Sequence, residues 1–210
     1  MKRGLFITFE GPDGCGKSTQ AKLLANFLRE RRHDVVLTRE PGGTPLAEEI
    51  RRVILTPTAE TLDPTAEILL YTAARAQHVN QFIRPALTAG KIVISDRFSD
   101  STLAYQGFGL GRDLNLIREI YRLAFGDFQP DLTILLDLEI ALCQERRERR
   151  VADRIESRDP QFHQRVREGY LEVARKNSRF MIIDASRKSI AAIHSEITAH
   201  LTNEFNTMGL

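Results

Sequence analysis

The stretch that most constrains this chain is Gly11-Pro12-Asp13-Gly14-Cys15-Gly16-Lys17-Ser18-Thr19. An apolar run, Leu5 to Phe9, precedes it and reads as a buried strand. After it, Leu23, Leu24, Phe27 and Leu28 share one face of a helix. Strand, glycine loop and helix form the setting in which a G-x-x-x-x-G-K-S sequence becomes a phosphate cradle, or P-loop. Glycines let backbone N–H groups converge on phosphate oxygens, and the helix that begins there adds unpaired donors and the positive end of its dipole. Lys17 brings a compact positive charge to the terminal phosphates, and the Ser18 hydroxyl suits Mg2+, a hard cation that prefers oxygen. A purely structural turn would not need every one of these positions filled. Gly11 to Thr19 is therefore expected to bind a nucleoside triphosphate.

Past the first helix, Asp34 to Thr38 reads as a second strand running into the turn-rich Arg39-Glu40-Pro41-Gly42-Gly43-Thr44. A short amphipathic helix is expected over Leu46 to Leu55. A long helical stretch follows from Thr65, broken or kinked near Pro85 and closed by Gly90. Lys91 to Asp96 reads as a third strand, Leu114 to Phe125 as a helix, Leu132 to Leu138 as a fourth strand and Phe180 to Asp184 as a fifth. Strands alternating with helices imply a three-layer α/β fold of the P-loop kind, a five-stranded parallel sheet with helices on both faces. Ligands of such sheets sit beyond the carboxyl ends of the strands. That places the P-loop, the Arg39–Thr44 loop and Asp96-Arg97 on one rim.

A chain of 210 residues with 42% hydrophobic and 28% charged residues suits a single domain, residues 1–210. A net charge of +2 does not suggest a nucleic-acid or membrane surface. No apolar run nears the roughly 20 residues of a bilayer span. Met1 to Gly4 leads straight into the first strand without a separate apolar signal segment. Two cysteines, Cys15 and Cys143, make neither a disulfide framework nor a zinc site, so a reducing cytoplasm is the expected location.

Glu145 to Arg158 interrupts the pattern with six arginines. One reading is a solvated helix face of alternating charge, and the other a phosphate-clamping lid at about residues 144–158. Asp96 closes an apolar strand, where an acid holds Mg2+ through water. Asp137 rivals it on pattern, and Arg97, a bidentate phosphate ligand beside Asp96, favours the first. No Asn-Lys-x-Asp segment for guanine is present. Arg39, Arg51, Arg75 and Arg97 form a second basic set, which suggests a small phosphorylated acceptor. Tyr71 and Arg75, four apart on a helix, either stack on and read a base or are a core tyrosine with an unrelated arginine. Cys15 sits where a thiolate would be stabilised, or is a small inert loop residue.

These residues carry a family resemblance. Phe9-Glu10-Gly11-Pro12-Asp13-Gly14, Thr38 to Thr44, Asp96-Arg97-Phe98, Ser101-Thr102-Leu103-Ala104-Tyr105-Gln106-Gly107 and Asp153-Arg154-Ile155-Glu156 resemble bacterial thymidylate kinases, over nearly the whole chain. The resemblance implies transfer of the γ-phosphoryl group of Mg-ATP to dTMP. It implies catalytic roles for Lys17, Arg97, Asp13 and two lid arginines, Arg147 and Arg149, with Arg146 and Arg150 close behind. Asp13 would meet the acceptor's 3′-hydroxyl, Glu40 and Pro41 would frame the acceptor site, and Arg51 and Arg97 would hold its phosphate. Tyr71 would stack on thymine, where the family commonly has Phe, while Arg75, Ser101 and Thr102 read its edge. Tyr105 would crowd the 2′ position, Gln106 would close the pocket, and Arg187 lies in the loop that cups adenine. Ser18 and Asp96 would serve the metal. A homodimer through helices on a face of the sheet is implied too. The alternatives are another nucleoside or nucleotide kinase, and a P-loop switch protein without a small acceptor.

Overall fold

The computed structural model describes residues 3–147 and 153–208. Five strands, β1 (Phe6–Glu10), β2 (Val35–Arg39), β3 (Ile92–Asp96), β4 (Leu132–Asp137) and β5 (Phe180–Asp184), form one parallel sheet in the order β2-β3-β1-β4-β5. Strand edges shift by one residue from those expected, and the last strand falls where the apolar run put it. The central strand is β1, aligned so that Phe9 faces Asp96 of β3 and Glu10 faces Leu135 of β4.

Alternation along β1 divides the core. Ile7 and Phe9 point to one face, with Ile94, Ile134 and Leu136, and meet Leu24 and Leu28 of α1 (Lys17–Glu30) and Ile193 and Ile197 of α9 (Ile190–Met208). Phe6 and Val93 point to the other face, against Ile68 of α3 (Pro64–His78) and Ile117 and Tyr121 of α6 (Leu114–Phe125). Phe162 and Tyr170 of α8 (Pro160–Arg175) cover Leu135 on that second face. Buried Thr8 and Thr133, side by side on β1 and β4, satisfy each other at 3.0 Å.

The long helical stretch is divided where proline forbids a regular ladder. α3 widens into a π-helical segment, Val79–Ile83, whose extra residue lets the Arg84 N–H reach the Val79 carbonyl. A short α4 (Arg84–Thr88) carries Pro85 in its first turn and ends before Gly90, whose φ of 78° is left-handed. A second π-helical segment, Leu103–Gly109, continues α5 (Ser99–Thr102). α2 (Pro45–Leu55) is capped by the Thr44 hydroxyl, and α7 (Ile140–Arg147) takes in the first arginines of the basic run.

Candidate active site

The P-loop is built as its residue types demand. Gly11, Gly14 and Gly16 have φ of 135°, 92° and 104°, and a Cβ on Gly11 would come within 2.4 Å of the Leu136 carbonyl. α1 starts with no side-chain cap and no acid in its first turn, so its leading N–H groups stay open for an anion. Lys17 bends back onto the loop and donates to the carbonyls of Gly11 and Pro12 at 3.0 and 2.7 Å. Asp13, Gly14, Gly16, Lys17, Ser18 and Thr19 line a cavity of about 460 Å3, while Gly11, Pro12 and Cys15 are buried behind it.

For Cys15, burial favours the second of its two readings, the small inert loop residue. Burial pushes its thiol upward, and the Lys17 and Arg97 charges oppose this without reversing it.

The Ser18 hydroxyl donates to the Asp96 carboxylate. Two hard oxygen ligands thus lie together beside the open helix end, a set that fits Mg2+ arriving with phosphate oxygens. Asp137, the rival acid, has both oxygens in the fork of Arg167 at 2.6 and 2.9 Å and is committed elsewhere. Arg187 is exposed in the loop after β5, where Asp184 accepts from the Ser186 N–H, and it is outside the cavity lining.

Arg97 organises the centre. Its φ of 76° is unusual for a residue with a side chain, and its N–H bonds the Phe9 carbonyl. Nη2 donates to Asp13 at 2.6 Å and to the Tyr105 hydroxyl at 3.1 Å; Nη1 donates to Gly11, Ser101 and Tyr170. Burial alone would raise the Asp13 carboxyl, but the Arg97 and Lys17 charges hold it well below the usual range. Behind Arg97, Glu10 accepts from the Phe98 N–H, the Ser101 hydroxyl and the Tyr170 hydroxyl at 2.7, 2.6 and 3.0 Å. Burial, with Asp100 nearby, pushes Glu10 up to about 7 against the opposing pull of Arg97.

On the β2 side, Glu40 accepts from Arg75 Nε at 2.6 Å and lies 3.0 Å from His78 Nδ1. The Glu40–Pro41 peptide is cis, and the Pro41 carbonyl accepts from Arg51 at 2.8 Å. Arg75 spends its other bonds on Thr102, Tyr121 and the Phe98 carbonyl, so four of its five N–H groups are engaged. Tyr71 borders the same cavity, and its hydroxyl makes no hydrogen bond among the described residues. Gln106 donates to buried Glu67. Ser101 gives its proton to Glu10, which leaves it an acceptor toward the cavity.

One cavity therefore gathers most of the residues singled out in the sequence: the P-loop, Glu40, Pro41, Arg51, Tyr71, Arg75, Asp96, Arg97, Ser101, Thr102, Tyr105 and Gln106. Arg146 lines it as well. The side chain of Arg147, together with Arg149 and Arg150, lies outside the described residues. Arg154 and Arg158 do not face the cavity as clamps; both donate to Glu67 at 2.8 Å. Sequence reasoning gave no role to Glu10, Glu67, His78 or Tyr170. An acid closing an apolar strand was the available signal for Glu10; nothing local marked the other three.

The chain matches the family model described as thymidylate kinase over residues 9–197. It is 48% identical over 196 residues to the thymidylate kinase of Exiguobacterium sibiricum, covering 92% of each chain. With the thymidylate kinase of Geobacter sulfurreducens the identity is 50% over 191 residues, covering 87% of this chain and 90% of that one. The crystal structure of thymidylate kinase from Ehrlichia chaffeensis superposes with a TM-score of 0.77 at 39% identity, covering 95% of this chain and 99% of that chain. Matched by the family model over residues 9–197 and 48–50% identical to relatives along most of its length, the chain belongs to the thymidylate kinase family.

Proposed function

We propose that the chain transfers the γ-phosphoryl group of ATP to dTMP, giving ADP and dTDP. The observation that carries this reading is the single cavity that holds Lys17 and Ser18 at one end and Tyr71, Arg75 and Tyr105 at the other. Arg97 lies between them, bonded to Asp13 of the P-loop and to Tyr105.

Phosphoryl transfer asks little covalent work of a protein; alignment and charge placement do most of it. Lys17 and the open N–H groups of α1 hold the donor phosphates. Ser18 and Asp96 would hold Mg2+, whose charge would offset that of the transferring phosphates. Arg97 and Arg51 hold the acceptor phosphate in line, Asp13 fixes the sugar, and Tyr71 stacks on thymine while Arg75 and Thr102 face its edge. Tyr105 fills the space beside C2′, Gln106 closes the pocket, and Glu40 and Pro41 frame it. Arg187 borders the adenine. The acceptor phosphate is already anionic at neutral pH, so no general base is assigned.

Residues 144–158 act as the lid of a single domain and exclude water. The P-loop carries no arginine, so the charge on the moving group is met from the lid, by Arg147 and Arg149. Such an arginine is worth on the order of 10³–10⁵ in turnover.

The enzyme works in the cytoplasm as a homodimer. Leu46 and Val53 of α2, Leu69 of α3 and Leu116 and Leu123 of α6 are exposed, and α3 packs between the other two helices. The seven-residue spacing within α2 and within α6 puts each pair on one helical face, a stripe suited to a second copy. Leu123, 83% exposed, is the residue whose change to Glu should shift sedimentation to the monomer.

Turnover with Mg-ATP and dTMP, dUMP, UMP, CMP, dAMP or thymidine tests the reaction. Strong preference for dTMP supports it. Equal use of CMP or dAMP points to another nucleotide kinase, and slow hydrolysis that no monophosphate stimulates points to a switch protein.

A further inference from the structure

Glu67 stands one helical turn before Tyr71 on α3 and is 0% exposed. Its two oxygens face different parts of the molecule. Oε1 accepts from Gln106, on the π-helical wall of the acceptor pocket, at 2.6 Å. Oε2 accepts from Arg154 and Arg158, on the segment that returns from the basic run to α8, at 2.8 Å each. Arg154 also donates through Nε to the Ile54 carbonyl at 2.7 Å, and its backbone N–H bonds Leu55. Arg158 lies 4.7 Å from the Phe162 ring centroid, and its Nη1 is buried without a partner among the described residues.

One carboxylate between two largely buried guanidiniums leaves positive charge in excess. Buried ion pairs add little stability over apolar packing of the same volume, so stability alone does not account for this arrangement. What it does account for is position. Two of the six arginines in the run are held at its far end, tied through one carboxylate to the pocket wall.

We propose that Glu67 is a positioning residue for phosphoryl transfer, a clasp that fixes the return leg of the lid to the wall of the acceptor pocket. The inference rests on the acceptor-kinase reading above. With the clasp closed, residues 153–158 are held beside the acceptor pocket and help to keep water from the γ-phosphorus. In productive transfer the bond from that phosphorus to the bridging oxygen of ADP breaks, and a bond to an oxygen of the acceptor phosphate forms. With the clasp open, a water oxygen forms that bond instead, and inorganic phosphate and a proton are released.

The experiment compares ADP and dTDP formed by wild type, Glu67→Asp and Arg158→Met under saturating dTMP, with kcat and both KM values. Glu67→Asp keeps the charge and shortens the reach. Arg158→Met removes a guanidinium with an unpartnered nitrogen, so it supplies a folded variant if the first one unfolds. The expected result is a kcat lower by about 10-fold, a KM for ATP within about 2-fold, and an ADP-to-dTDP ratio at least about 2-fold above wild type. Partial unfolding lowers every rate alike and leaves the product ratio unchanged. Variants that retain the wild-type ratio overturn the proposal, while a wild type that makes no dTDP overturns the acceptor reading and this inference with it.

Discussion

The Tyr105 hydroxyl donates to the Asp13 carboxylate at 2.7 Å, joining the π-helical wall of the acceptor pocket to the phosphate loop. The Arg97 guanidinium lies 5.0 Å from the Tyr105 ring centroid and bonds both partners. Hydroxyl and ring thus have separable duties. Tyr105→Phe keeps the ring and loses a hydrogen bond to a charged group, worth about 1.5–3 kcal/mol. It should lower kcat/KM for dTMP by roughly 10–100-fold and leave the ratio of dUMP to UMP use unchanged. Tyr105→Ala removes the ring, and that ratio should then narrow. A ratio unmoved in both variants removes Tyr105 from sugar selection.

Glu10 should give stability a measurable pH slope. A carboxyl raised by burial from 4.5 to about 7 binds its proton more tightly in the folded chain. Between those values the folded state holds more protons than the unfolded one, so stability falls as pH rises from 4.5 to 7 and levels off above. The size of this contribution is about 3 kcal/mol, or roughly 6–12 °C in Tm for a chain of this length. Asp13 acts in a different window: its lowered carboxyl stabilises above the unfolded value and loses this only below about pH 4. In Glu10→Gln the decline between pH 4.5 and 7 should flatten. Tm curves for the two proteins that stay parallel through that range contradict the assignment.

Removing Arg75 should harm folding as well as acceptor use. Its pair with Glu40 is almost fully buried, and Arg75→Ala leaves that carboxylate facing only His78. Such a loss typically costs about 3–5 kcal/mol, which should appear as a Tm lower by roughly 6–20 °C. In assays well below that Tm, KM for dTMP should rise far more than KM for ATP, because the P-loop is untouched. Equal changes in the two constants place Arg75 outside the acceptor site.

What the sequence disclosed and what it withheld differ by the range of the interaction. The five strands were legible because each is a short apolar run, and the P-loop because its chemistry lies within nine consecutive residues. Pro85 announced the first break in the long helix. The π-helical segment around Tyr105 was not announced, since an i−5 bond depends on how Leu110 and Tyr105 pack rather than on their types. Glu10 and Tyr170 meet across 160 positions, and no local spacing encodes that. The basic run shows the same limit: its arginines are alike in sequence, and a glutamate 91 residues from Arg158 decides which of them face away from phosphate.

Cys15 should be inert. It is 1% exposed, and burial raises its thiol. A maleimide or iodoacetamide added to the native enzyme should leave Cys15 unmodified over the life of an activity assay, and Mg-ATP should make no difference. Cys15→Ala should keep turnover within about 2-fold, since only a small buried side chain changes. Rapid labelling with loss of ATP binding contradicts this.

The central place of β1 also bears on how the chain is made. Its partners are Val93 and its neighbours on one side and Thr133 and its neighbours on the other, and Thr8 waits 125 positions for the threonine beside it. At about 5–20 residues per second, a ribosome needs roughly 6–25 s to supply that second partner. Until then Phe6-Ile7-Thr8-Phe9 is an apolar strand with at least one open edge, and the phosphate loop behind it lacks the Leu136 carbonyl that lies against Gly11. The first strand synthesised is among the later ones to be enclosed, so during synthesis its protection falls to chaperones rather than to ATP.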